Sequence, residues 1–424
     1  MKKIFAVLLS ALNLVSIHAL DMETGLFFSG GVKTGLLIKS SDYGGELGNQ
    51  ATNPDYKYPM TLYFSSYENH ARNGEGWLSI GYSRSDEGIG KYGMQLGLWA
   101  HGDVKTYSDI VRLGDHFVWA NFFDERLRFI GGQGGGTPIN SGGWINADWL
   151  SYTGLRLFWV DPSGISAGIN FPDPGTDGIK PVNYLSLLMA GLSYKYKNWS
   201  ISLQFDNSPI YDDTEANLYG GLHRPADQDP IGLAGNIAFG IGIDKLYDDK
   251  ISIVLEGLVS NLGEDEEDGK GDYKISPVKT TFAIKTSYKT EQLYAEIKGK
   301  YTISQGDADD PVSASSPSTW GKLEFEPFVS FQTADYLRFF LSVYGALYVN
   351  SYYLALDWNK VYQFKEGQVP GYGPLLDYLS PYFIKVKPGV GLTFGGVAMD
   401  MGYEGALSRD HIENNFYIDF KWSF

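Results

Sequence analysis

The chain ends on Phe416-Tyr-Ile-Asp-Phe-Lys-Trp-Ser-Phe424, and this stretch decides the fold. Every second residue in it is apolar: Phe416, Ile418, Phe420, Trp422 and Phe424. Successive side chains of a β-strand point to opposite faces, so this spacing puts all five apolar groups on one face and the polar groups on the other. The stretch therefore predicts a two-faced strand. The alternatives are a strand of a membrane-spanning barrel, which we favour, and an edge strand of a soluble sandwich.

The same alternation continues upstream through most of the chain. It is clearest in Gln292–Ile303, Lys322–Gln332 and Tyr382–Phe394, where apolar residues alternate with Lys, Glu and Ser. Most alternating segments run about 9–12 residues, which is the length that a tilted strand needs to cross the apolar part of a bilayer. The sequence therefore predicts an all-β, antiparallel up-and-down barrel that crosses a membrane.

The strand count depends on the N-terminal part of the chain. Taking Gly25–Lys39, Met60–Tyr67 and Trp77–Arg84 as the first three strands gives about 18, an even number as expected when both termini lie on one side. The stretch Tyr92–Ala100 reads either as a further strand or as a continuation, so about 16 or about 20 strands remain open.

Connections of two lengths alternate along the chain. Six are compact: Asp161–Gly164, Lys197-Asn198, Tyr247–Lys250, Lys289-Thr290, Thr333–Asp335 and Gly395-Gly396. Six are long: 41–59, 131–151, 207–230, 260–277, 304–320 and 350–380. Alternate connections of an up-and-down barrel lie at the same end, so the short turns are expected at the end that holds the C-terminus, and the long loops at the other.

Composition excludes a membrane protein built from helices. Hydrophobic residues make up 43% of the chain, the mean hydropathy is −0.20, and no 18-residue apolar run follows the N-terminal segment. Aromatic residues at 15%, with 30 Tyr and 52 Gly, fit short strands with aromatic girdles and tight turns. The absence of cysteine excludes disulfides and a lipoprotein anchor.

The N-terminal segment reads as a secretory signal. Met1–Ala19 has a basic start, an apolar run and a small residue at its end. It is too short and too poorly flanked for a stable membrane helix. We therefore expect residues 1–19 to be a cleaved signal peptide and residues 20–424 to form a single barrel domain.

A barrel of this size encloses water, so the polar face of each strand becomes the wall of a lumen. The side chains that alternate with the apolar set carry both signs of charge, and facing ladders of them create a transverse field for hydrated solutes. Wall salt bridges without effect on transport are the alternative for any one of them. The residues expected to line the lumen are Arg126, Arg128, Arg156, Lys279, Lys285, Glu296, Lys298, Lys300, Glu324, Glu326, Arg338, Lys385, Lys387 and Asp400.

Three stretches together resemble the porin class of Gram-negative outer-membrane proteins: the terminal Phe416–Phe424, the first strand Gly25–Gly35, and Val118–Gly132. The resemblance implies an outer-membrane barrel for passive diffusion of small hydrophilic solutes and ions, with no catalysis, cofactor, metal or nucleic acid. The terminal pattern resembles the signal read by the barrel-assembly machinery. The resemblance further implies contact with outer-membrane lipid and lipopolysaccharide, and allows a homotrimer.

Porins often fold one loop into the lumen, and Gly131–Leu150 matches such a loop best. It starts with Gly131-Gly-Gln-Gly-Gly-Gly136 and carries Trp144, Asn146, Asp148 and Trp149 near its end. These four residues are therefore candidates for a constriction. The loop lacks the acidic cluster found in the constriction loops of many trimeric porins, so the resemblance does not imply cation preference.

Two other functions stay open. A FadL-like channel for hydrophobic substrates would need an N-terminal plug, whereas the first strand here begins shortly after the predicted cleavage site. A surface adhesin would bind through loops 207–230 and 350–380. The acidic runs Glu264–Asp268 and Asp307–Asp310 lack the spaced ligands of an EF-hand, so we expect solvated loops there, with calcium binding as the alternative.

Overall fold

In a computed structural model, the protein forms one antiparallel sheet that closes on itself. The structure describes residues 25–41, 60–63, 72–86, 90–103, 108–145, 147, 149–151, 153–172, 188–206, 235–262, 278–305, 319–348, 382–408 and 412–424. The predicted signal peptide, both acidic runs and most of the predicted long loops lie outside this part of the chain.

Strands make up nearly all of the described chain. They are β1 Gly25–Ser41, β2 Met60–Tyr63, β3 Arg72–Asp86, β4 Gly90–Asp103, β5 Ser108–Phe122, β6 Leu127–Gln133, β7 Gly154–Val160, β8 Ile165–Pro172, β9 Met189–Tyr196, β10 Trp199–Asp206, β11 Gly235–Lys245, β12 Ile251–Leu262, β13 Val278–Lys289, β14 Leu293–Gln305, β15 Thr319–Ala334, β16 Leu337–Tyr348, β17 Tyr382–Phe394, β18 Val397–Ser408 and β19 Ile412–Ser423. A 3₁₀ turn spans Trp149–Ser151, and a four-residue helical turn spans Leu246–Asp249. No helix among the described residues is long and apolar enough to cross a membrane.

The barrel is closed by its first and last strands. β1 pairs with β19 from Gly31↔Ser423 to Ser41↔Glu413, and Gly30 exchanges two backbone hydrogen bonds with Phe424 of 3.0 and 3.1 Å. β1 also pairs with β2 at one end and with β3 at the other. β2 and β3 pair with different parts of β1 on the same side, so they count as one strand of the barrel. The 19 strands named above therefore form a closed 18-stranded barrel. The predicted all-β up-and-down barrel is confirmed.

The predicted count of about 18 agrees with the structure, although two of the strands behind it were assigned differently. Met60–Tyr67 and Trp77–Arg84 were predicted as separate barrel strands, but β2 and β3 occupy one position between them. The ambiguous stretch Tyr92–Ala100 is the centre of a full strand, β4. Merging β2 with β3 removes one strand from the predicted count and β4 adds one, so the total does not change. Short strand pieces with an interruption cannot be told from whole strands by alternation alone.

The compact connections all lie at one end of the barrel. They join β7 to β8, β9 to β10, β11 to β12, β13 to β14, β15 to β16 and β17 to β18. In the first of them the Asp161 carboxylate accepts a 2.8 Å hydrogen bond from the Ser163 backbone N–H, and that bond holds the pKa of Asp161 below its ordinary value. In the last, Gly395 has a φ of 59°, which favours glycine.

The two faces of the strands differ as the alternation predicts. On β10 the side chains of Ile201, Leu203 and Phe205 are exposed, while Ser202 and Gln204 between them are buried. Large exposed apolar side chains recur in this way around the barrel, from Phe28 on β1 to Phe420 on β19. A ring of apolar groups open to the surroundings is what a lipid-facing surface requires.

One β-bulge changes the alternation within β5. The pairing of β4 with β5 shifts between Leu96 and Leu98, so that Gly114 and Asp115 of β5 both lie opposite the single residue Gly97 of β4. Leu113 therefore points outward, whereas Phe117 is buried on the inside. Gly97 permits the bulge, because a Cβ there would lie 2.9 Å from the Asp115 backbone nitrogen.

Candidate functional site: a loop folded into the lumen

The segment between β6 and β7, residues 134–153, lies against the polar inner face of the barrel. We call it the inner loop; its residues 146, 148 and 152 lie outside the described part of the chain. Polar side chains of β7, β8, β10 and β12 donate to it or accept from it. The opposite faces of these strands carry the exposed apolar groups, so the inner loop lies inside the lumen.

The inner loop brings apolar side chains into the barrel. Its Ile139 and Leu150 are fully buried, and Trp149 is nearly so. They form one cluster with inward side chains of neighbouring strands: Phe117, Trp119, Ile130, Phe158, Met189 and Ala238. On the β5 to β12 side of the barrel, the inner loop therefore packs an apolar core against the inner face of the wall.

Glycines on the inner face make room for this core. A Cβ added to Gly191 of β9 would lie 2.6 Å from Leu150 Cδ1. A Cβ on Gly240 of β11 would overlap Ser141, and one on Gly168 of β8 would crowd Ile139. Because these positions have no side chain, the inner loop reaches the wall itself.

Arg156 holds both ends of the inner loop. Its guanidinium donates 3.1 Å hydrogen bonds to the carbonyls of Ser151 and Gly132, and a further bond to the carbonyl of Gly134. The Arg156 side chain has 0% exposure, so its guanidinium lies beneath the inner loop and is bound to backbone carbonyls instead of facing an open lumen.

The two other arginines predicted to line the lumen lie elsewhere. Arg128 is also buried and donates to the Asn121 side chain at 2.9 Å. Arg126 lies exposed in the turn before β6.

Glu256 of β12 holds the middle of the inner loop. It is 3% exposed and accepts a 2.6 Å hydrogen bond from the Ile145 backbone N–H and another from the Ser141 hydroxyl. A Cβ on Gly143 would overlap this carboxylate. A carboxylate buried among donors is strongly held, because removing it leaves those donors unsatisfied.

Two amides complete the attachment. Gln204 donates to the Ala147 carbonyl, and Asn170 donates to the Trp149 carbonyl at 3.3 Å. Sequence reasoning missed both residues, because they are ordinary polar positions on alternating strands.

The sequence does carry one indication that the inner loop covers this part of the wall. β5 to β7 have large apolar residues on both faces, such as Trp119 beside Val118 and Phe158 beside Leu157. Apolar residues on both faces indicate a strand covered on both sides.

The tip of the inner loop reaches across to β13 and β14. Lys285 donates a 3.0 Å hydrogen bond to the Gly142 carbonyl, and the Lys300 ammonium lies 4.7 Å from the centre of the Trp144 ring. Of the four candidate constriction residues, Trp149 is buried in the core and Trp144 is partly exposed at the tip, while Asn146 and Asp148 lie outside the described residues. The Trp144 contact is a cation–π interaction.

The wall opposite the inner loop carries most of the predicted lining residues, and it joins them in pairs. On β13 to β15 the pairs are Lys285–Glu296 at 3.7 Å, Lys298–Glu296 at 3.2 Å, Lys298–Glu326 at 3.3 Å, Lys300–Glu324 at 2.9 Å and Lys322–Glu324 at 3.6 Å. Charges of both signs thus alternate along one continuous surface. The side chain of Lys279 is outside the described part of the structure.

The paired charges continue on β16 to β19. One Arg338 nitrogen lies 2.9 Å from each oxygen of Asp400, and Lys385 lies 3.5 Å from Glu404. The Lys387 ammonium lies 4.7 Å from the Tyr417 ring centre. Together with the pairs on β13 to β15, these side chains form one charged inner wall from β13 to β19.

Among the described residues, no three His, Asp or Glu side chains come together in a way that could hold an ion.

Among the comparisons with known proteins, the one with solved structures bears on the fold. No protein-family model and no curated protein matches the chain. Among solved structures, OccAB4 of Acinetobacter baumannii aligns with a TM-score of 0.54 and 8% identity, covering 95% of this chain and 99% of that one. OpdL of Pseudomonas aeruginosa aligns at 0.52 and 8%, covering 94% and 98%. A variant of OccD1 (OprD) aligns at 0.50 and 12%, covering 97% and 98%.

All three are outer-membrane channels. At these identities the likeness concerns the fold: the chain has the barrel fold of outer-membrane porins and channels. The predicted porin-like β-barrel class is confirmed at that level.

Proposed function

We propose that this protein is an outer-membrane porin, a water-filled channel through which small hydrophilic solutes and ions diffuse passively. The barrel presents apolar side chains to lipid, its compact turns face the periplasm, and its loop end faces outward. No chemical step and no cofactor are part of the proposal.

A single observation carries the proposal: the inner face is charged, while the outer face is apolar. The wall formed by β13 to β19 holds Lys, Arg, Asp and Glu side chains inside a closed barrel, and partly exposed ones among them face the inner loop. Members of these pairs also stay open to solvent, since the Arg338 and Asp400 side chains are 34% and 38% exposed. Accessible ionised groups are stable beside water, so this half of the lumen is hydrated. A FadL-like passage for hydrophobic substrates would require an apolar wall at the same place.

The position of the C-terminal strand supports assembly in the outer membrane. Phe416, Phe420 and Trp422 of β19 are exposed on the outer face, and Phe424 bonds to Gly30 of the first strand. β19 therefore closes the barrel against β1 and presents the aromatic residues that resemble the assembly signal. Outer-membrane lipid and lipopolysaccharide are the partners that this apolar surface fits, and a homotrimer stays a proposal.

Planar-bilayer recording tests the proposed function. We expect the purified protein to insert from detergent and to give stable, stepwise ion conductance at low voltage, because the paired charges keep a continuous path of water open. Protein that is denatured before addition is the control. A barrel that inserts, as shown by its β-rich circular dichroism in vesicles, but conducts no ions would contradict the proposal and favour an adhesin.

A further inference from the structure

The outer face of the barrel has a depression centred on Ala120 of β5, which we call the outer depression. Ala120 pairs with Tyr92 of β4 and with Phe129 of β6, so these three side chains share the outer face. Val118 and Phe122 lie two positions away from Ala120 along β5 and face the same way. One small side chain ringed by four large ones leaves a hollow of about 490 Å³.

The outer depression is lined by apolar groups and opens on the side of the barrel that faces lipid. Val118 is 53% exposed, and Met94, its cross-strand neighbour, is 57% exposed. The residues that alternate with the lining belong to the opposite face: Asn121 is buried inside the barrel, and Lys91 pairs with it across the strands. A hollow of this size and polarity fits part of an apolar molecule, and on this face the apolar molecules are lipid chains.

A charged pair lies at the edge of the outer depression, on β3. Arg84 pairs with Tyr92 across the strands, so it lies beside the ring of side chains around Ala120. The Arg84 Nε donates a 3.1 Å hydrogen bond to one oxygen of Asp86, and the Tyr92 hydroxyl donates a 2.8 Å bond to the other oxygen. The Arg84 and Asp86 side chains are 56% and 31% exposed, so a ligand can reach both charges.

Both members of this pair can bind more than they do. Among the described residues, Arg84 donates from Nε alone, which leaves the two terminal nitrogens of its guanidinium for an acceptor such as a phosphate. Each Asp86 oxygen accepts one bond from the described residues, although a carboxylate has about four acceptor positions. The pair therefore offers donors for a phosphate and acceptors for an ammonium group at the same time.

The pair lies at the compact-turn end of the barrel, because the connection from β3 to β4 is at the same end as the connection from β7 to β8. Tyr196 and Trp199 flank the turn between β9 and β10 at this end, and they are 53% and 50% exposed. Tyr and Trp gather at the level of the lipid headgroups. Met94 lies four residues from the start of β4, so the outer depression extends about 13 Å along the strand from this level toward the membrane interior.

The charges at this place favour one kind of headgroup. Arg84 and Asp86 cancel one another, and the turn Phe123–Arg126 after β5 carries two acidic residues against one Arg. An anionic headgroup would therefore meet no excess of positive charge. A quaternary ammonium has no N–H to donate to Asp86. A headgroup with a phosphate and a primary ammonium matches both members of the pair.

We propose that the outer depression and the Arg84–Asp86 pair form a binding site for one phospholipid whose headgroup carries a phosphate and a primary ammonium, such as phosphatidylethanolamine. An acyl chain lies over Ala120, the phosphate accepts from Arg84, and the ammonium donates to Asp86. The compact turns face the periplasm in the proposed orientation, so this lipid belongs to the periplasmic leaflet. The site lies on the lipid side of the wall and goes beyond the proposed channel function.

Native mass spectrometry tests this site. The purified barrel in mild detergent is mixed with equal amounts of phosphatidylethanolamine, phosphatidylcholine and phosphatidylglycerol that carry the same acyl chains, and the lipids that each barrel retains are identified. We expect one retained phosphatidylethanolamine per barrel, preferred about fivefold over each of the other two lipids.

Two substitutions separate the headgroup contact from the chain contact. Asp86→Asn keeps the Arg84 donors and is expected to remove the preference for phosphatidylethanolamine over phosphatidylcholine, because an amide attracts an ammonium less than a carboxylate does. Ala120→Phe fills the outer depression and is expected to lower the retention of every lipid about fivefold. The matched control is Ala167→Phe on the outer face of β8, where Ala167 pairs with the exposed Trp159. We expect it to retain lipid as the unaltered protein does, and circular dichroism shows that all variants keep the β-rich fold.

Four results would overturn the lipid site. The unaltered protein could retain the three lipids equally, or it could prefer phosphatidylglycerol, which would assign Arg84 to an anionic lipid. Ala120→Phe and Ala167→Phe could lose lipid equally. The barrel could also purify as an oligomer that retains no lipid, which would assign this face to a second copy of the chain. Ion conductance is independent of all four results, so the channel function is tested separately.

Discussion

Replacing residues 134–152 by an Asn-Gly turn is expected to raise the single-channel conductance about twofold. Gly132 of β6 and Gly154 of β7 are paired across the two strands, so a two-residue hairpin turn can close them. The inner loop and its apolar core fill the lumen from β5 to β12, and its removal opens that half to water. Planar-bilayer recording of the shortened and full-length proteins measures the change.

A second variant separates loop release from damage to the barrel. Glu256→Ala keeps the whole inner loop but leaves the Ile145 N–H and the Ser141 hydroxyl without their acceptor, at a cost of about 1–3 kcal/mol. We expect unsteady current with added openings of higher conductance. Asp244→Ala, which removes an exposed carboxylate at the end of β11, is the control. We expect it to have the same single-channel conductance as the unaltered protein. Unchanged conductance in both the shortened protein and Glu256→Ala would contradict the place assigned to the inner loop.

Leu341→Arg is expected to destabilise the membrane-inserted barrel by about 2–4 kcal/mol. Leu341 lies in the middle of β16, faces outward and pairs with Val329 and Pro388 on its neighbours. A guanidinium at this place must enter lipid or bend away from it. Guanidinium-induced unfolding in lipid vesicles, with the free energy of unfolding taken by linear extrapolation, measures the loss.

The neighbouring residue provides the control. Ser342 follows Leu341 on the same strand and faces the lumen, where Phe328 and Lys387 are its cross-strand partners. Arg at position 342 enters the hydrated side, so Ser342→Arg is expected to change the free energy of unfolding far less than Leu341→Arg. Equal losses in the two variants would show that the two faces of β16 do not differ in environment.

Much of the fold could be predicted because one rule governs most strands. From β10 to β19 each strand has lipid on one side and polar groups or water on the other, so apolar and polar residues alternate with period two. The prediction was weakest at β2 to β5. There the short β2 shares its position with β3, and the bulge at Gly114 and Asp115 reverses the alternation within β5.

The inner loop was less accessible to sequence reasoning. Its glycine-rich start and its tryptophans marked 131–150 as a candidate, but its contacts could not be read from the chain. Glu256 lies more than one hundred residues from Ser141 and Ile145, and no local pattern connects such partners. Arg156 shows the same limit: alternation places it on the inner face, yet only the three-dimensional structure shows that it lies beneath the inner loop.

The packed core within the lumen follows from a departure from alternation. Phe117, Ile130 and Phe158 are apolar residues on faces that the period-two rule reserves for polar groups. Such departures indicate a second surface packed against the strand.

Reaction of single cysteines along β15 tests the two-faced barrel most directly, since the chain has no cysteine of its own. Cysteines are placed one at a time at Leu323, Glu324, Phe325, Phe328 and Val329, and the inserted protein is treated with a charged, water-soluble thiol reagent. We predict rapid reaction at 324 and 328 and protection by lipid at 323, 325 and 329. Uniform reactivity along the strand, or reaction on the apolar positions instead, would contradict a barrel with lipid outside and water inside.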